Sequence, residues 1–439
     1  MSTVNHPKIE EYIEEVCELI KNRRVHENIK DELIDHIEEI IEDYKDVGLT
    51  EEEAIDKALL QMGSSEVVGR DLDKVHKAAP DWILLGITGL FILVGIFTIG
   101  FIQKNNSTPL TLHFNFLGKT IIYALGGIIL AAFLLKIDYR KFKKYSKYLY
   151  GGVMILLLYQ IVFGRYLGCI MYQMFIGPIG FYAKDIIVLP FFLILALAGI
   201  FDKWNWKDTK SILKGIIIAF VPTIFFIIGK DSESIIIYTI AAVTLIIISG
   251  FKLKHIIISF GVMGTIALFY MFSEPYAIER LYTFFNPSLD PIHGIGGHYN
   301  QLVALRESAG LFGQGAKFTP NMLKEVHKDF IFTYIVYSFG WIVGIILISL
   351  ILAFIIRIGI IGKSTKESYG KLLVSGLCAL FVVQFLLSIS VSLILSPSVS
   401  VSMPFVGYGG SQFLINITAI SIVSNVHKWR NTPYNAKIQ

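Results

Sequence analysis

Asp329 is the side chain in this sequence best placed to act as a general base. It stands just before an apolar run long enough to cross a bilayer, and His327 lies two residues earlier. A carboxylate at a membrane boundary is costly to keep there, which suggests that it has a use, and a positioned carboxylate can accept a proton from a reacting hydroxyl. An aspartate at a helix start is also commonly only a helix cap, which is the alternative for Asp329. His327 is a candidate to assist Asp329, and the simpler interpretation of His327 is a solvated loop residue.

Three basic residues share the predicted side of the membrane with Asp329, against the usual bias of positive charge towards the cytoplasm. They are Arg165, Lys184 and Arg280. Arginine pairs with phosphate oxygens through a planar fork and lysine pairs with them as a point charge. These residues are therefore candidates for binding a phosphate-bearing substrate, although each could equally extend to lipid headgroups.

The composition indicates a membrane protein. The 439 residues are 54% hydrophobic and 17% charged, with a mean hydropathy of +0.60, whereas a soluble globule needs more charge on its surface. The net charge of +4 lies mostly in loops beside apolar runs, so it bears on membrane orientation and not on nucleic-acid binding. The three cysteines, Cys17, Cys169 and Cys378, lack metal-ligand spacing.

Apolar runs recur from Trp82 onward and predict an all-α polytopic membrane protein of about ten transmembrane helices. Their centres lie near Ile92, Ile128, Leu156, Leu193, Val221, Ala242, Val262, Val343, Val382 and Thr418. Every even-numbered run is followed by a basic loop, which predicts that both termini are cytoplasmic. The membrane domain is predicted at 81–430, with a large external loop at 274–329 and a cytoplasmic tail at 431–439. A transporter built from inverted repeats is the alternative, but no internal duplication is visible.

Residues 1–80 have the pattern of a small cytoplasmic helical domain. Apolar residues recur at helical spacing among Glu and Lys, and Gly48, Thr50 and Glu53 predict a helix stop followed by a capping box. Four short helices are expected. The stretch from Arg24 to Ile37 resembles the helical prefix found ahead of some permeases and membrane regulators, which implies a docking or regulatory module. A charged solubilising cap is the alternative.

Three motif blocks, in order along the chain, carry a resemblance to a known family. The first spans 280–332 and ends in EVHKDFIF, the second spans 384–411 and ends in MPFVGYGGS, and the third is GRYL at 164–167 with AK at 183–184. Their order and spacing resemble the SEDS family of membrane proteins, which includes RodA, FtsW and SpoVE. Three ordered blocks are stronger evidence than any single short motif.

The resemblance implies a peptidoglycan glycosyltransferase that polymerises lipid II at the outer face of the bacterial plasma membrane, in division, cell shape or sporulation. Asp329 aligns with the catalytic aspartate of the family. The implied substrate-binding residues are Arg165, Lys184, Arg280, Gln301 and His327, and the implied structural signature is Pro404, Tyr408, Gly409, Gly410 and Ser411. The glycines of that signature are better explained by close helix packing than by direct catalysis.

The resemblance also implies partners. These are a class B penicillin-binding protein, which is a transpeptidase, and membrane lipids; no nucleic acid is expected. No cofactor is evident and no metal-ligand cluster is visible, although a divalent cation such as Mg²⁺ or Mn²⁺ could be needed at the pyrophosphate of the lipid substrate.

Several positions depart from the pattern of the family. They are Tyr166, Phe181, Lys324, Tyr337, Ser338, Ser388, Ser400 and Gly407. Phe181 stands where the family has a glutamate, which changes the electrostatics around Lys184. Ser400 stands where the family has a glycine, and Gly407 where it has a serine. Two functions from other classes therefore stay open: a non-catalytic scaffold that regulates a class B penicillin-binding protein, and a lipid-precursor flippase.

Overall fold

The fold is known from a computed structural model, which describes most of the chain. The described residues are 6–76, 79–105, 115–163, 165–167, 170–176, 179–182, 188–251, 275–286, 295–317, 326–397 and 400–430, with isolated positions between 261 and 268. The chain divides into two compact units. One comprises Met1–Pro80 with Lys428–Gln439, and the other comprises Asp81–His427.

The first unit contains four amphipathic helices packed around one apolar core. They are α1 (Pro7–Leu19), α2 (His26–Asp46), α3 (Glu51–Met62) and α4 (Ser65–His76). Side chains at helical spacing, among them Ile9, Val16, Ile37 and Ile55, are almost fully buried in this core. Burial of apolar surface is the main force that holds helices of this length together.

The predicted capping box at the start of α3 is confirmed. The Glu53 carboxylate accepts hydrogen bonds from the hydroxyl of Thr50 (2.7 Å) and from its backbone N–H (3.2 Å). These hydrogen bonds lower the pKa of the Glu53 carboxyl. Gly48 and Gly63 follow α2 and α3 at φ of 94° and 88°, a left-handed backbone that glycine adopts without steric cost.

The helices of the second unit follow in chain order. They are α5 (Trp82–Asn105), α6 (Phe116–Leu134), α7 (Ser146–Phe163), α8 (Val188–Phe201), α9 (Thr209–Ile228), α10 (Ser232–Ile248), α11 (Pro275–Phe285), α12 (Ile295–Ser308), α13 (Ile331–Phe339), α14 (Trp341–Ser364), α15 (Ser368–Ser392) and α16 (Gly410–Trp429). A 3-10 segment, Tyr139–Tyr145, leads into α7.

Six helices within the described residues are long and apolar enough to cross a membrane. They are Trp82–Asn105, Phe116–Leu134, Tyr139–Phe163, Thr209–Ile228, Trp341–Ser364 and Ser368–Ser392. The chain is therefore a multi-pass membrane protein. The predicted runs near Leu193 and Ala242 are the shorter apolar helices α8 and α10, and the run near Thr418 is α16, which is not among the six. The run near Val262 falls mostly outside the described residues, and the count of ten spans stays a prediction.

A small antiparallel sheet departs from the all-α prediction. Its strands are β1 (Arg165–Leu167), β2 (Ile170–Ile176) and β3 (Ile179–Tyr182), in the order β1-β2-β3. The sequence carried the signal for it, because β-branched and aromatic residues flank the Gly-Pro pair at 177–178. The prediction assigned no secondary structure to this stretch.

Helix α15 is the most buried of the six membrane helices. It packs against α8, α10, α13 and α14. A Cβ atom added to Gly376 would lie 2.7 Å from the side chain of Ile194 on α8 and 3.1 Å from that of Leu245 on α10. Glycine therefore permits the close approach of three helices, as small residues commonly do in membranes.

A buried ion pair holds the start of α5. The Asp81 side chain has no solvent exposure, and it accepts hydrogen bonds from Nε (3.0 Å) and Nη2 (2.7 Å) of Arg357 on α14. The Asp81 backbone N–H donates to Ser424 Oγ on α16 (3.1 Å), and His427 Nδ1 lies 3.5 Å from Asp81 Oδ2. One carboxylate thus joins three helices.

Candidate active site

Asp329 lies in the turn that leads into α13, and its side chain is only 8% exposed. Ser400 Oγ donates a hydrogen bond to Asp329 Oδ2 at 2.5 Å. Ser400 belongs to the segment that connects α15 to α16, 71 residues further along the chain. The first and second motif blocks therefore meet at this carboxylate.

Phe405 packs the segment between α15 and α16 into the core of the second unit. Its ring lies 5.8 to 6.1 Å from the rings of Phe91, Phe354 and Phe381, which come from α5, α14 and α15. A Cβ atom added to Gly95 on α5 would lie 2.7 Å from the Phe405 carbonyl oxygen. The segment that carries Ser400 is thus fixed against three membrane helices.

His327 belongs to an aromatic cluster. Its ring centroid lies 4.8 Å from that of Phe116 at the start of α6 and 5.8 Å from that of Tyr408, and Phe116 and Tyr408 meet edge to face at 4.9 Å. The Tyr408 backbone N–H donates to the His327 carbonyl oxygen at 2.9 Å. The His327 ring is half-buried, and the cluster fixes the turn of Asp329 against the signature segment.

Two glycines near the end of the second motif block, Gly407 and the signature residue Gly410, lie where other atoms come close. A Cβ atom added to Gly407 would overlap Ser402 Oγ and would lie 3.2 Å from the Lys328 carbonyl oxygen; one added to Gly410 would overlap the ring of Tyr123. This geometry agrees with a packing role for Gly407 and Gly410. A Cβ atom added to Gly409 would lie 3.7 Å from Gln412, an ordinary contact distance. Pro404 is buried in the same segment, and Ser411 is exposed in the first turn of α16.

We expect Gly407→Ala to destabilise the protein by about 1 to 3 kcal/mol, because the added methyl group overpacks this contact. The measurement is thermal unfolding in detergent. The matched control is Gly126→Ala on α6, where an added Cβ atom meets nothing within 4 Å. Adding Ser402→Ala to the Gly407 variant removes the overlapping hydroxyl and should restore part of the loss. Equal unfolding temperatures for the Gly407 and Gly126 variants would contradict the packing argument.

A glycine-rich turn at 308–315, within the first motif block, sets the direction of α13. Gly313 and Gly340 have φ of 80° and 88°, and a Cβ atom on either would overlap the backbone of the other segment. The Gln314 backbone N–H donates to the Tyr337 carbonyl oxygen at 2.8 Å, and that of Trp341 donates to the carbonyl oxygen of Gly310 at 3.1 Å. This turn therefore holds the junction of α13 and α14, at the opposite end of α13 from Asp329.

The other predicted substrate-binding residues are less tightly placed. Gln301 is half-buried on α12, which packs against α13, and Arg280 is half-buried on α11. The backbone of Arg165 begins β1 and is in register with Gln173. Lys184 lies outside the residues that the structure describes.

Sequence reasoning missed three contributors to the site. Ser400 was noted only as a departure from the family pattern, and neither Phe116 nor Tyr123 was considered. Phe116 carried one usable signal, since it begins an apolar run, and residues at that position lie at the membrane boundary. Nothing local in the sequence marks Tyr123.

The arrangement is suited to proton transfer. A buried carboxylate, held at one oxygen by a hydroxyl donor and located at the start of a helix, is oriented to accept a proton from a bound hydroxyl. Among the described residues, no group of three or more His, Cys, Asp or Glu side chains could hold a metal ion.

The whole of the second unit matches a family model. The model, described as cell cycle protein and covering FtsW, RodA and SpoVE, matches residues 79–432. One curated relative, named probable peptidoglycan glycosyltransferase FtsW, from Trichlorobacter lovleyi, is 27% identical over 71% of this chain and 83% of its own length. Stage V sporulation protein E of Bacillus subtilis is 24% identical over 80% of this chain and 98% of its own length.

Solved structures share the fold. A chain from a structure described as structural coordination of polymerization and crosslinking by a peptidoglycan synthase complex aligns with a TM-score of 0.65 at 18% identity, over 81% of this chain and 99% of its own. The rod shape determining protein RodA of Thermus thermophilus aligns with a TM-score of 0.59 at 18% identity, over the same shares. At these identities the comparison establishes the architecture.

Proposed function

Because the chain belongs to the FtsW/RodA/SpoVE family of cell cycle proteins, we propose that it is a peptidoglycan glycosyltransferase and that it polymerises lipid II. The curated relatives that it matches include proteins named for that activity. The observation that carries the proposal is the buried Asp329 carboxylate, which lies where the first and second motif blocks meet and accepts a hydrogen bond from Ser400.

The reaction elongates a glycan. An acceptor sugar hydroxyl attacks the anomeric carbon of a lipid-linked donor, a new C–O bond forms, and the bond between the anomeric carbon and the pyrophosphate oxygen breaks. Asp329 accepts the hydroxyl proton. Arg280, with Arg165 and Lys184, offers positive charge for the departing lipid pyrophosphate. A divalent cation such as Mg²⁺ or Mn²⁺ at the pyrophosphate would add further positive charge there.

The proposal assigns this chemistry to the outer face of the plasma membrane. Basic loops follow the even-numbered apolar runs, which favours cytoplasmic termini, and Asp329 precedes α13 at the opposite end of α14 from Lys363. The first unit, with its charged surface and single small core, then serves as a cytoplasmic docking or regulatory module. The partner that crosslinks the product is a class B penicillin-binding protein. One fold neighbour belongs to a complex described as coordinating polymerization and crosslinking.

Polymerisation of purified lipid II by the detergent-solubilised full chain tests the function. We expect glycan strands from the chain alone or together with a candidate class B penicillin-binding protein. Folded protein that makes no product with any partner or cation would favour the non-catalytic scaffold. That alternative is motivated by Phe181, which stands where the family has a glutamate. Lipid II transport that persists without polymerisation would favour a flippase.

Ser400→Ala should shift the acidic limb of the pH-rate profile upward by about one to two pH units. A hydroxyl that donates to a carboxylate stabilises its ionised form, and a hydrogen bond to a charged group contributes about 1.5 to 3 kcal/mol. Without the Ser400 hydroxyl, the Asp329 carboxylate is expected to take up a proton at higher pH. Protonated Asp329 cannot act as the base, so the rate should begin to fall at a higher pH.

Polymerisation rates measured across pH check this expectation. Ser400→Thr retains the hydroxyl and should keep the wild-type profile, whereas Ser400→Gly should behave as Ser400→Ala does. At pH values well above the shifted limb, all three variants should approach the wild-type rate. A uniform loss of rate in Ser400→Ala, with an unshifted limb, would mean that Ser400 supports only the fold.

A further inference from the structure

A largely apolar cavity of about 290 Å³ lies beneath the 3-10 segment Tyr139–Tyr145. Phe142 and Tyr145 form its outer rim and are 46% and 53% exposed, whereas Phe191 on α8 and Leu373 on α15 form its floor and are at most 2% exposed. The cavity therefore leads from the surface of the protein into its core.

Hydrogen bonds fix the positions of the segments that line this cavity. Tyr139 Oη donates to Glu367 Oε2 at 2.9 Å. Asn425 on α16 donates through Nδ2 to the carbonyl oxygens of Leu134 (2.8 Å) and Ile137 (2.6 Å), and its Oδ1 accepts from the Tyr139 backbone N–H at 3.3 Å. These contacts fix the 3-10 segment over the cavity, so the cavity is preformed.

Four lysines lie within or next to the 3-10 segment that forms the rim. Lys136, Lys141, Lys144 and Lys147 are exposed. Arg140 is paired with Asp138, and Lys143 with Asp202, whereas no described carboxylate pairs with the four exposed lysines. Lys144 Nζ lies 5.0 Å from the centroid of the Tyr145 ring, which places one positive charge at the mouth of the cavity. An apolar cavity with a basic rim fits a molecule with a hydrocarbon chain and an anionic head.

The cavity lies at the Ser364 end of α14. Helix α14 rises about 36 Å over its 24 residues, and Tyr369 and Leu373 of the cavity come from the first turns of α15, which begins four residues after Ser364. The predicted topology puts this end of the helices on the cytoplasmic side, whereas the glycosyl transfer proposed for Asp329 takes place on the outer side.

We propose that this cavity binds an anionic phospholipid of the bilayer, with one acyl chain between α7, α8 and α15 and the phosphate at Lys141 and Lys144. The cavity is too small for a helix from a partner, which is about 10 Å wide with its side chains. The proposal does not depend on the glycosyltransferase activity. Under this proposal the basic loop after α6 binds an anionic phospholipid. The same loop also contributes to the predicted orientation of the chain in the membrane.

Native mass spectrometry of the delipidated full chain tests the proposal, with phosphatidylglycerol and phosphatidylcholine of matched acyl chains as probes. We expect one phosphatidylglycerol to bind about tenfold more tightly than phosphatidylcholine, because each lysine near an anionic headgroup adds to the attraction. Lys141→Gln with Lys144→Gln should remove that preference. The matched control, Lys207→Gln with Lys210→Gln in the next basic loop, should retain it.

Leu373→Trp fills the floor of the cavity and tests the acyl chain separately. This variant should lose the tight site for both lipids, while the exposed lysine variants keep the wild-type unfolding temperature. Equal affinities for the two lipids in the wild type, or an unchanged preference in the Lys141 and Lys144 variant, would overturn the proposal. A further outcome would also overturn the proposal: the wild type forms dimers, and Leu373→Trp abolishes the dimers but keeps lipid binding. That result would assign the cavity to a second copy of the chain.

Discussion

Replacing Asp329 with asparagine is expected to lower the rate of lipid II polymerisation by about 10²- to 10⁴-fold, the usual contribution of a general base. Asparagine has nearly the same size and can still accept a hydrogen bond from Ser400 Oγ, so the turn before α13 should keep its conformation. What the variant loses is the ability to take the proton of the acceptor hydroxyl. The measurement is the initial rate of glycan synthesis from purified lipid II.

Two controls separate chemistry from folding in that experiment. Glu307→Gln removes an exposed carboxylate from α12, in the same motif block, and should leave the rate unchanged. Unfolding temperatures should agree among the wild type, the Asp329 variant and this control. A folded Asp329→Asn protein with the wild-type rate would show that another group accepts the proton, and the assignment of Asp329 as the base would be wrong.

Replacing Asp81 with asparagine is expected to destabilise the second unit by about 3 to 5 kcal/mol. The change leaves the Arg357 guanidinium without its carboxylate in a place where both side chains are largely shielded from water, and removing one partner of a buried pair has a cost of this order. The N-terminal end of α5 should loosen from α14 and α16. Thermal unfolding in detergent measures the effect.

A double-mutant cycle distinguishes loss of the pair from loss of packing. Asp81→Leu combined with Arg357→Met replaces two charges with apolar groups and should recover most of the stability that either single change removes. Asp56→Asn breaks the exposed pair with Lys8 in the first unit and should cost little, because water screens such pairs. Strictly additive losses at Asp81 and Arg357 would contradict the coupling.

Local sequence signals predicted several elements of this protein correctly. The capping box at Thr50 and Glu53 is present, and the apolar runs near Ile92, Ile128, Leu156, Val221, Val343 and Val382 are long apolar helices. These signals succeed because hydrophobic transfer into lipid and helix capping depend on residues close together in sequence. The sheet at 165–182 was not predicted, although β-branched and aromatic residues beside a Gly-Pro pair are an equally local signal.

The candidate site shows the opposite case. Motif resemblance placed Asp329 in the site, but it recorded Ser400 only as a departure from a family glycine. The hydrogen bond between Ser400 and Asp329 joins residues 71 positions apart, and the contact of His327 with Phe116 crosses from the turn before α13 to the start of α6. No periodicity or spacing encodes such a pair, since its distance depends on how the helices between them pack.

The sequence by itself thus determined that this chain is a membrane protein and which segments form apolar helices. Its ordered motifs indicated the family and the candidate base. Tertiary structure decided which side chains surround that base. It also decided that Asp81 pairs with Arg357, 276 positions away, and that Tyr139 and Leu373 enclose one cavity. The physical reason is that burial in lipid is a property of each segment, whereas hydrogen bonds and cavities arise only where several segments are packed together.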